Sequence, residues 1–496
     1  MSETNQQSNN LQRIAIIGGG ISGLAAAHRL TELSKEKNLS IEISLFESSA
    51  RLGGVIRSYK RDGFLLEAGP DSIVTEKPEA LNLAKRLGIE SDIISTNDEY
   101  RRSFIVSGGR LHPVPEGFHL LAPSRIWPFA TTGIFSLAGK ARMAMELFIP
   151  RRKNTNGKDD ESLAQFVRRR FGQEALERMA QPMVGGIYTA DPEKLSLRAT
   201  MPRFLDMERR AGSVIRALLQ ARRKESQASN KGTSGARYGL FISFKNGIQT
   251  LVDELAKRIP SDAIKLNIKV ESLLFDKDLD QWKIKAKDNE THTVDAVCLA
   301  LPAYGSAALL RPLDAQVADE LDAIPYASTA TVNLAFRRED IPHKLDGFGF
   351  VVPFIEKRTV MACTFCHVKY AGRAPDGYAL LRAFVGGNLQ PEMFALDEER
   401  MIKGVLKDLR DLLGIEKPPL FVEAAKWPRS MAQYHLGHLE RVERINERLK
   451  AFSSLRLVGN AYNGAGIPDC VRIGEKAAEE LLSLKENASS KNEPVS

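Results

Sequence analysis

The stretch Ile14-Ala-Ile-Ile-Gly-Gly-Gly-Ile-Ser-Gly-Leu24 joins a short β-rich run to a glycine-rich turn and to the start of a helical pattern. Helical composition continues to Leu33, and the run from Ile41 to Phe46 restores strand character. Strand, turn, helix and second strand follow one another within about thirty residues, the length of the β-α-β unit that binds a dinucleotide. The stretch therefore predicts a Rossmann-like sheet at the start of the chain.

The glycine spacing gives Gly18, Gly20 and Gly23 separate tasks in such a unit. They permit the tight turn, the approach of backbone to a pyrophosphate, and close packing of helix on strand. Glu47 ends the second strand, where a carboxylate binds ribose hydroxyls and repels a 2′-phosphate, so NADP is disfavoured. A glycine-rich turn that binds nothing is the alternative. The residues predicted to hold the nucleotide here are Gly18, Gly19, Gly20, Ile21, Ser22, Gly23, Glu47 and Ser48.

Further glycines favour the longer cofactor FAD over NAD, because they let backbone pass close to it. At the far end of the chain, a glycine-rich turn precedes a helix for which Asp469 is a candidate N-cap. A helix N-terminus aimed at a flavin would stabilise the negative charge of its reduced form. The additional residues assigned to FAD are Arg51, Gly53, Gly54, Gly69, Pro70, Asp71, Ser72, Val270, Trp427, Gly459, Gly464, Gly466, Ile467, Pro468 and Asp469.

Length and composition indicate a globular enzyme of two or three domains, since 496 residues with 43% hydrophobic content can bury a large core. No apolar run is long enough to span a membrane. The net charge is +8, but the Lys and Arg residues are dispersed among acidic residues and form no basic block. Nucleic acid is therefore not an expected partner. The polar start of the chain, residues 1–10, lacks a signal sequence, and the expected location is the cytoplasm.

Four cysteines are too few for a disulfide scaffold in a chain of this length. Cys363, Cys366 and His367 spell the C-x-x-C-H pattern of covalent haem attachment. That attachment belongs to exported proteins, and the segment from Thr359 to Val368 has strand character, so a buried strand is the preferred interpretation. No metal site is predicted.

Helical patterns at Ile134 to Phe148 and at Ser162 to Met179 predict a helical insert. Two polar stretches, residues 152–161 and 222–237, are predicted to be surface loops. A second sheet is predicted from the strand-like runs at Ala263 to Leu274, Trp282 to Ala286, Val294 to Leu299, Thr329 to Phe336 and Ala379 to Val385.

The glycine motifs, taken with Glu47 to Gly54 and Gly459 to Asp469, resemble the flavin amine oxidase superfamily. Six further motifs resemble those of protoporphyrinogen and coproporphyrinogen oxidases, most of all the bacterial, Gram-positive type, whose members oxidise coproporphyrinogen III. They are Glu67-Ala-Gly-Pro-Asp-Ser72, Gly185-Gly-Ile-Tyr-Thr-Ala-Asp-Pro192 with Lys194-Leu-Ser196, Phe244-Lys-Asn-Gly-Ile-Gln-Thr-Leu251, Leu381-Arg-Ala-Phe-Val-Gly386, Gln433-Tyr-His-Leu-Gly-His438 and Gly466-Ile-Pro-Asp-Cys-Val471.

The resemblance implies an α/β protein with an FAD-binding Rossmann-like domain, a mixed-sheet substrate domain and a helical insert that lies on membranes in many relatives. The FAD domain would take residues 11–77, 238–302 and 440–484, and the substrate domain residues 78–112, 195–220 and 303–439. Residues 113–194 would form the helical domain, and residues 1–10 and 485–496 flexible tails.

The resemblance also implies an FAD-dependent porphyrinogen oxidase of haem biosynthesis. A bridging C–H of the macrocycle would pass to non-covalently bound FAD as hydride, dioxygen would reoxidise the flavin to give hydrogen peroxide, and three cycles would yield the porphyrin. Ferrochelatase or another haem-pathway enzyme is the candidate protein partner, and the cytoplasmic membrane face the candidate peripheral contact.

The resemblance also assigns residues to the substrate site, by their positions in the matched motifs. Gly186 and Ile187 would border the macrocycle, and Val351 and Phe384 would form apolar walls, although such residues on strands are usually core. Lys77 matches a lysine of the bacterial type and Arg102 an arginine that holds a propionate in the protoporphyrinogen type, although exposed cations are more often solvated. No general base is assigned, since His435 and His438 suit a structural role, and Cys470 is expected to be unbonded to the cofactor.

Three alternatives remain open. The enzyme could act on protoporphyrinogen IX, because the chain carries both the bacterial lysine and the other group's arginine. The same fold also serves amine oxidases and carotenoid desaturases, since a fold alone does not choose a substrate. A flavin or porphyrin carrier without turnover is the non-enzymatic alternative.

Overall fold

The computed structural model describes residues 11–152, 160–229, 240–287 and 290–489. Strands and helices alternate at both ends of this range, whereas helices dominate its middle. The strands, in chain order, are β1 (Gln12–Ile17), β2 (Ile41–Glu47), β3 (Ser58–Arg61), β4 (Phe64–Glu67), β5 (Ile73–Val74), β6 (Ile93–Ser95), β7 (Phe104–Ser107), β8 (Arg110–Pro113), β9 (Phe118–His119), β10 (Ala122–Pro123), β11 (Phe241–Phe244), β12 (Ile264–Leu266), β13 (Val270–Asp276), β14 (Gln281–Ala286), β15 (Thr291–Val294), β16 (Ala296–Leu299), β17 (Tyr326–Arg337), β18 (Gly349–Val351), β19 (Val360–Phe365), β20 (Tyr378–Gly386), β21 (Phe421–Ala432) and β22 (Leu455–Leu457).

The helices vary from single turns to long amphipathic rods. They are α1 (Ile21–Glu36), α2 (Glu79–Arg86), α3 (Ile126–Thr131), α4 (Leu137–Ala144), α5 (Leu163–Arg170), α6 (Gln173–Ala175), α7 (Gln181–Tyr188), α8 (Leu197–Thr200), α9 (Pro202–Ala211), α10 (Val214–Ser229), α11 (Gln249–Arg258), α12 (Ala303–Leu310), α13 (Ala315–Asp322), α14 (Cys366–Lys369), α15 (Pro391–Ala395), α16 (Glu398–Leu413), α17 (His438–Leu449) and α18 (Ile467–Ser489). A π-helical turn, Leu176–Ala180, joins α6 to α7, and 3₁₀ turns occur at Glu90–Asp92, Met145–Phe148, Ser261–Ala263, Arg338–Asp340 and Phe354–Glu356.

A five-stranded parallel sheet, in the order β12-β2-β1-β16-β22, confirms the Rossmann-like unit. Its strands come from the beginning, middle and end of the chain, so the sheet is assembled from three separate segments. Helices α1 and α18 pack together in one apolar cluster with this sheet. The two helices approach closely at Gly474, where an added Cβ would lie 2.3 Å from the carbonyl oxygen of Ser22.

A mixed seven-stranded sheet has the order β21-β17-β20-β19-β18-β7-β8 and contains two of the five runs predicted for a second sheet, those at 329–336 and 379–385. The prediction of one second sheet from all five runs is wrong, because β12 and β16 join the five-stranded parallel sheet and β13 and β14 form a separate three-stranded sheet with β15. Neighbouring strands of the seven-stranded sheet are antiparallel except β18 and β7. Alternate side chains of β17 and β20 face an apolar cluster that includes α16, whereas the intervening residues Thr331, Asn333 and Arg382 face the segment that follows β4. One face of this sheet is therefore core, and the other carries polar groups toward the predicted cofactor segment.

The helices from α3 to α10 share an apolar cluster with the loops between them. Leu197, Phe204 and Val214, from the range 195–220 that the sequence assigns to the substrate domain, contribute to this cluster. Their amphipathic helices bury apolar faces against the helical region. The division into three domains remains a prediction.

Several segments differ from the pattern-based expectations. The helix predicted at 134–148 begins only at Leu137, because Ser136 caps it by accepting a hydrogen bond from the N–H of Gly139, and a 3₁₀ turn follows at Met145–Phe148. The helix predicted at 162–179 is interrupted at Gly172, whose φ of +97° is incompatible with a right-handed helix. A local cap and a glycine thus make both helices shorter than the periodic spacing of their apolar residues predicts.

The predicted loop at 222–237 is helical as far as Ser229, where α10 ends, so that part of the prediction is wrong. Residues 230–237 and 153–159 of the two predicted loops lie outside the described residues, as do residues 1–10 and 490–496 of the predicted tails. Helix α18 continues through 485–489, part of the predicted C-terminal tail.

Cys363 lies on β19 between two neighbouring strands and is 2% exposed, which agrees with the buried-strand interpretation. The strand ends at Phe365, and Cys366 and His367 begin the short helix α14. Burial raises the pKa of both thiols. Within the described residues, no helix combines the length and apolarity needed to cross a bilayer.

Candidate flavin and substrate site

The turn after β1 has the geometry that its glycines predict. Gly18 has a φ of +112°, and an added Cβ at Gly23 would lie 2.0 Å from the carbonyl oxygen of Gly18. Gly20, by contrast, has an ordinary extended conformation with a φ of −73°, and no atom lies within 4 Å of a Cβ added there. The space above Gly20 is therefore free for a ligand to approach the N-terminus of α1.

Glu47 is held in place by backbone donors. The N–H of Gly19 donates to its Oε2 at 2.8 Å and the N–H of Ser49 to its Oε1 at 2.7 Å, while the hydroxyl of Ser48 lies 3.4 Å from Oε1. The carboxylate thus stands beside the glycine turn, where a ribose would lie. Val270, at the start of β13, is buried in the cluster that includes Phe46 next to Glu47.

The second glycine pair packs on the first turn. The N–H of Gly53 donates to the carbonyl of Gly19 at 2.8 Å, and a Cβ on Gly54 would lie 3.5 Å from the Cα of Gly20. Arg51 donates to the carbonyl oxygens of Leu52, Gly54 and Ile56. Its guanidinium therefore serves to hold this loop against the glycine turn.

The segment 67–72 turns its carbonyl groups toward the seven-stranded sheet. Trp427 Nε1 donates to the carbonyl of Ala68 at 2.7 Å and Thr331 Oγ1 to the same oxygen at 2.8 Å. Asn333 Nδ2 donates to the carbonyl of Glu67 at 3.1 Å. Trp427 therefore contacts the segment that carries Gly69 to Ser72, which the sequence also assigns to FAD.

The N–H groups of this segment are left for a ligand. Among the described residues, the N–H groups of Gly69, Asp71 and Ser72 make no hydrogen bond. Gly69 lies so close to β3 and the loop before it that an added Cβ would meet the carbonyl oxygen of Val55 at 1.8 Å. Unpaired donors beside an open glycine turn fit a cofactor that carries phosphates and a polar ring system.

The C-terminal turn requires one correction. Asp469 is not the N-cap of the last helix, because α18 begins at Ile467 and places Asp469 in its first turn. Its buried carboxylate accepts hydrogen bonds from Lys77 Nζ at 2.6 Å and 2.8 Å, and a Cβ on Gly464 would lie 2.3 Å from its Cγ. Gly464 and Gly466 therefore let the turn wrap closely around the carboxylate of Asp469.

The Gln433-to-His438 motif supports that turn from behind. The hydroxyl of Tyr434 donates to the carbonyl of Asn460 at 2.8 Å and accepts from the N–H of Gly464 at 2.9 Å. The ring of Tyr434 stacks on His438 with 4.0 Å between ring centroids. Burial lowers the pKa of His435, and lowers that of His438 to about 4, so both imidazoles are neutral at physiological pH. The contacts of His438 agree with a structural role, whereas Nε2 of His435 is buried without a hydrogen-bond partner.

The predicted substrate walls lie on one face of the seven-stranded sheet. Phe384, Ala362 and Val351 are direct partners across β20, β19 and β18, so their side chains point the same way. An added Cβ at Gly186 would lie 3.7 Å from Val351 Cγ1, and Ile187 on the same helix, α7, is 48% exposed. The structure thus brings Gly186 to Val351 and puts Phe384 about 10 Å away along the sheet.

The two predicted anchoring cations lie in different places. Arg102 forms an ion pair with Asp346, with 2.7 Å between Nη2 and Oδ2, and lines a cavity of about 1440 Å³. Arg101 and His112 line the same cavity, which lies between the edge of the seven-stranded sheet and the helical region. Lys77 is bound to Asp469 at the start of α18. Each cation already has a carboxylate partner within the chain.

Sequence reasoning missed a buried ionic group beside the segment 67–72. Asp71 Oδ2 lies 3.1 Å from Arg382 Nη2 and 3.1 Å from Lys369 Nζ. Burial alone would raise the pKa of Asp71, but the two cations outweigh it and hold that pKa well below its usual range. Arg382 belongs to the 381–386 motif on β20 and Lys369 to α14, but neither local pattern reveals Asp71 as a partner. Only the assembled fold therefore identifies these ion pairs.

Glu67 is a second buried acid that the sequence did not single out. The hydroxyl of Ser58 donates to its Oε2 at 2.5 Å and the N–H of Ile248 to its Oε1 at 3.0 Å. Burial raises its pKa to about 7 although both hydrogen bonds oppose the shift. This contact joins two of the family motifs, at 67–72 and 244–251, at the N-terminus of α11.

The comparison with known proteins covers almost the whole chain. The family model of flavin containing amine oxidoreductases matches residues 21–482. Coproporphyrinogen III oxidase of Bacillus subtilis (strain 168) is 35% identical over 477 residues, which cover 96% of this chain and 99% of that one. Protoporphyrinogen oxidase 2, chloroplastic/mitochondrial, of Arabidopsis thaliana is 26% identical over 97% of this chain and 96% of that one. A crystal structure of a protein from Exiguobacterium sp. 255-15 superposes with a TM-score of 0.83 at 28% identity, covering 96% of this chain and 99% of that one.

The open space above Gly20 makes a selective substitution available. We expect Gly20→Val to leave the fold intact, because no protein atom lies within 4 Å of a Cβ added there. It should nevertheless weaken FAD binding by a factor of ten or more, about 1.4 kcal/mol, because the side chain occupies the path of the pyrophosphate. The measurement is flavin absorbance per mole of purified protein, together with the melting temperature after cofactor removal.

Gly23→Val is the matched control, since its side chain would collide with the carbonyl of Gly18 and should destabilise the fold itself. Wild-type protein should be yellow and release its FAD on denaturation, since burial raises the pKa of the Cys470 thiol to about 11 and leaves no thiolate for a covalent link. Normal flavin content in Gly20→Val would contradict the assignment of this turn.

Glu67 predicts a pH-dependent stability. The pKa of Glu67 is about 7 in the folded protein and 4.5 for an unperturbed glutamate, as in the unfolded chain. Between these pH values the folded chain holds a proton that the unfolded chain has lost. The contribution of Glu67 to the free energy of unfolding therefore falls as pH rises through that range, by about 3 kcal/mol at most. Glu67→Gln, which stays neutral, should gain melting temperature over wild type as pH rises from about 5 to about 8. The exposed Glu416→Gln serves as control, and parallel pH profiles for Glu67→Gln and wild type would refute the assignment.

Proposed function

The chain belongs to the flavin containing amine oxidoreductase family, and we propose that it is an FAD-dependent oxidase that converts a porphyrinogen to the porphyrin in haem biosynthesis, with coproporphyrinogen III preferred. The observation that carries this proposal is the 35% identity with a coproporphyrinogen III oxidase over nearly the full length of both chains. The similarity to the plant protoporphyrinogen oxidase is lower, at 26%. Dioxygen is the proposed electron acceptor.

The chain's own groups would hold FAD along one continuous path. The turn from Gly18 to Gly23 and the N-terminus of α1 would take the pyrophosphate, and Glu47 the ribose. The free N–H groups of segment 69–72 and the start of α18 would line the flavin. When bound, FAD supplies the acceptor for a hydride from the macrocycle, and dioxygen restores it with release of hydrogen peroxide.

The chain's contribution to the reaction is to position the macrocycle and exclude other reactions. Phe384 and Val351 offer an apolar wall on one sheet face, and Gly186 allows close approach opposite Val351. Arg102 in the cavity and Lys77 at the start of α18 would bind propionates on different sides of the ring. His438, whose Nε2 lies 3.4 Å from the carbonyl oxygen of Tyr462, and His435 are not assigned as bases.

Protoporphyrinogen IX is the alternative substrate, since Arg102 and Lys77 could each bind a propionate of either porphyrinogen. Amine oxidase or carotenoid desaturase activity shares the fold but lacks support from the relatives named above. A carrier without turnover would bind flavin or porphyrin and consume no oxygen. The porphyrin product would pass to a metal-inserting enzyme, for which ferrochelatase is the candidate partner.

A peripheral membrane contact is also proposed, from exposed apolar side chains in the helical region. Ile126, Trp127, Leu137 and Phe148 are 72%, 77%, 84% and 86% exposed, more than any other large apolar residue described. Large apolar side chains with this exposure suit the interface of a bilayer, which the cytoplasmic face would provide. Arg151 and Arg152 lie nearby in sequence, and Lys153 lies outside the described residues.

Substrate anchoring is tested by removing each cation. We expect Lys77→Ala and Arg102→Ala to raise KM for coproporphyrinogen III roughly five-fold, about 1 kcal/mol for a partly exposed contact. The effect should be smaller with protoporphyrinogen IX, which carries two carboxylates instead of four. The measurement is kcat and KM for both substrates under aerobic conditions.

Arg110→Ala, which removes an exposed cation outside the cavity, should leave both constants unchanged. FAD content should stay at the wild-type level in all variants. Loss of FAD in Lys77→Ala would instead assign the lysine to the cofactor turn through Asp469. Equal turnover of both porphyrinogens by wild type would overturn the preference for coproporphyrinogen III.

Membrane contact is tested by liposome sedimentation. We expect wild type to bind anionic liposomes more strongly at low salt than at high salt, because salt screens the cations. Trp127→Ala/Phe148→Ala should weaken binding on the order of ten-fold or more, since each ring loses apolar burial in the interface. Leu279→Ala, at a 63% exposed leucine far along the chain, is the control. Absence of wild-type binding at low salt would remove the proposal.

A further inference from the structure

Arg382 lies at the centre of β20, on the face of the seven-stranded sheet that meets segment 67–72. Its side chain is 2% exposed. Nη1 donates to the carbonyl of Gly69 at 3.0 Å, and Nη2 lies 3.1 Å from Asp71 Oδ2. The guanidinium therefore binds the backbone and the side chain of the segment whose N–H groups are free.

The same guanidinium also contacts the substrate wall. Its Cζ lies 4.8 Å from the centroid of the Phe384 ring, within the range of a cation–π interaction. Phe384 follows two residues later on β20 and so shares the sheet face. One buried side chain thus touches the flavin-facing segment on one side and the predicted macrocycle wall on the other.

A buried cation is not needed for stability alone. Replacing buried ion pairs with well-packed apolar side chains is often neutral or stabilising. The fork of an arginine, however, fixes two partners in a defined geometry, which a lysine or an apolar residue does not. The contacts of Arg382 therefore point to a role in fixing the relative positions of the groups that it binds.

We propose that Arg382 is a positioning residue that fixes the flavin-facing segment 69–72 and the substrate-facing ring of Phe384 relative to each other. The proposal rests on the proposed function for what occupies the two sides. Arg382 acts through Gly69, Asp71 and Phe384 rather than on the substrate itself. Lys369, the second cation on Asp71, reaches Asp71 and Ser72 but neither Gly69 nor Phe384 in any described contact.

Arg373 offers a matched control in the same region. It is also 2% exposed and donates to the hydroxyl of Ser243 and the carbonyl of Phe244, and its Cζ lies 5.3 Å from the centroid of the Tyr370 ring. It makes no described contact with segment 69–72 or with Phe384. Loss of either arginine removes a buried cation, but only loss of Arg382 should separate the two sides of the site.

The experiment compares Arg382→Met, Arg382→Lys and Arg373→Met in the full-length protein. The readouts are melting temperature, the dissociation constant of FAD from the refilled apoprotein, the flavin absorption spectrum, and kcat and KM with coproporphyrinogen III. We expect Arg382→Met to shift the spectrum and to lower kcat on the order of 100-fold, with a smaller change in KM, because misplacement of reacting groups by about 1 Å costs that much.

Arg382→Lys keeps the charge beside Asp71 without the fork, so its kcat should fall about ten-fold and its FAD affinity should approach wild type. Arg373→Met should lose melting temperature while its spectrum and kcat stay close to wild type. The same losses in Arg373→Met, or a kcat within two-fold of wild type in Arg382→Met, would overturn the proposal. If Arg382→Met does not fold, a wild-type spectrum and kcat in Arg382→Lys would overturn it.

Failure of the proposed function is distinguishable from failure of this inference. Wild type without porphyrinogen turnover would refute the function, yet the spectrum and FAD affinity of the Arg382 and Arg373 variants would still test the positioning role. Normal wild-type turnover with equal behaviour of the two methionine variants would refute the positioning role alone.

Discussion

The site depends on the attachment of segment 67–72 to the seven-stranded sheet. Side chains from β17, β20 and β21 take the carbonyl groups of this segment, so its N–H groups face the other way. A backbone segment without regular structure can be buried only if its polar groups are paired or meet a ligand. The pairing on one side therefore leaves the N–H groups on the other side open to a polar ligand, and it joins the segment beside the glycine turn to the seven-stranded sheet.

Close backbone contacts surround this joint. Gly23 packs on Gly18, and Gly464 wraps the carboxylate of Asp469, at distances that no side chain would allow. Two further approaches join remote segments. An added Cβ at Gly18 would lie 2.4 Å from the carbonyl oxygen of Ala300, and one at Gly474 would lie 2.3 Å from that of Ser22. These glycines let the first, second and last segments of the five-stranded sheet converge.

The motifs that carry the family resemblance divide into those beside the open glycine turn and those that support neighbouring turns and helices. The 433–438 motif holds the 460–464 turn through Tyr434 and stacks a neutral His438 behind it. The 244–251 motif binds the carboxylate of Glu67 at the start of α11. Both motifs identify the family, yet their described contacts are with the chain itself, which explains why no acid or base emerges from them.

The sequence by itself determined the nucleotide unit, because the turn, the helix and Glu47 lie within one short stretch and their spacing is local. It also located most strands through their apolar runs, and the family through its motifs, but it did not determine which strands share a sheet. It failed where local chemistry competes with periodicity, as at the Ser136 cap, at Gly172 and in the helical part of 222–229. Only the tertiary structure identified the remote partners of Arg382, Lys369 and Glu67 and paired Lys77 with Asp469, because these partners lie between 181 and 392 residues away in the chain. Burial of a charged group and its pairing with a distant residue leave no local pattern in the sequence. They are decided by how the segment 67–72 packs on the seven-stranded sheet.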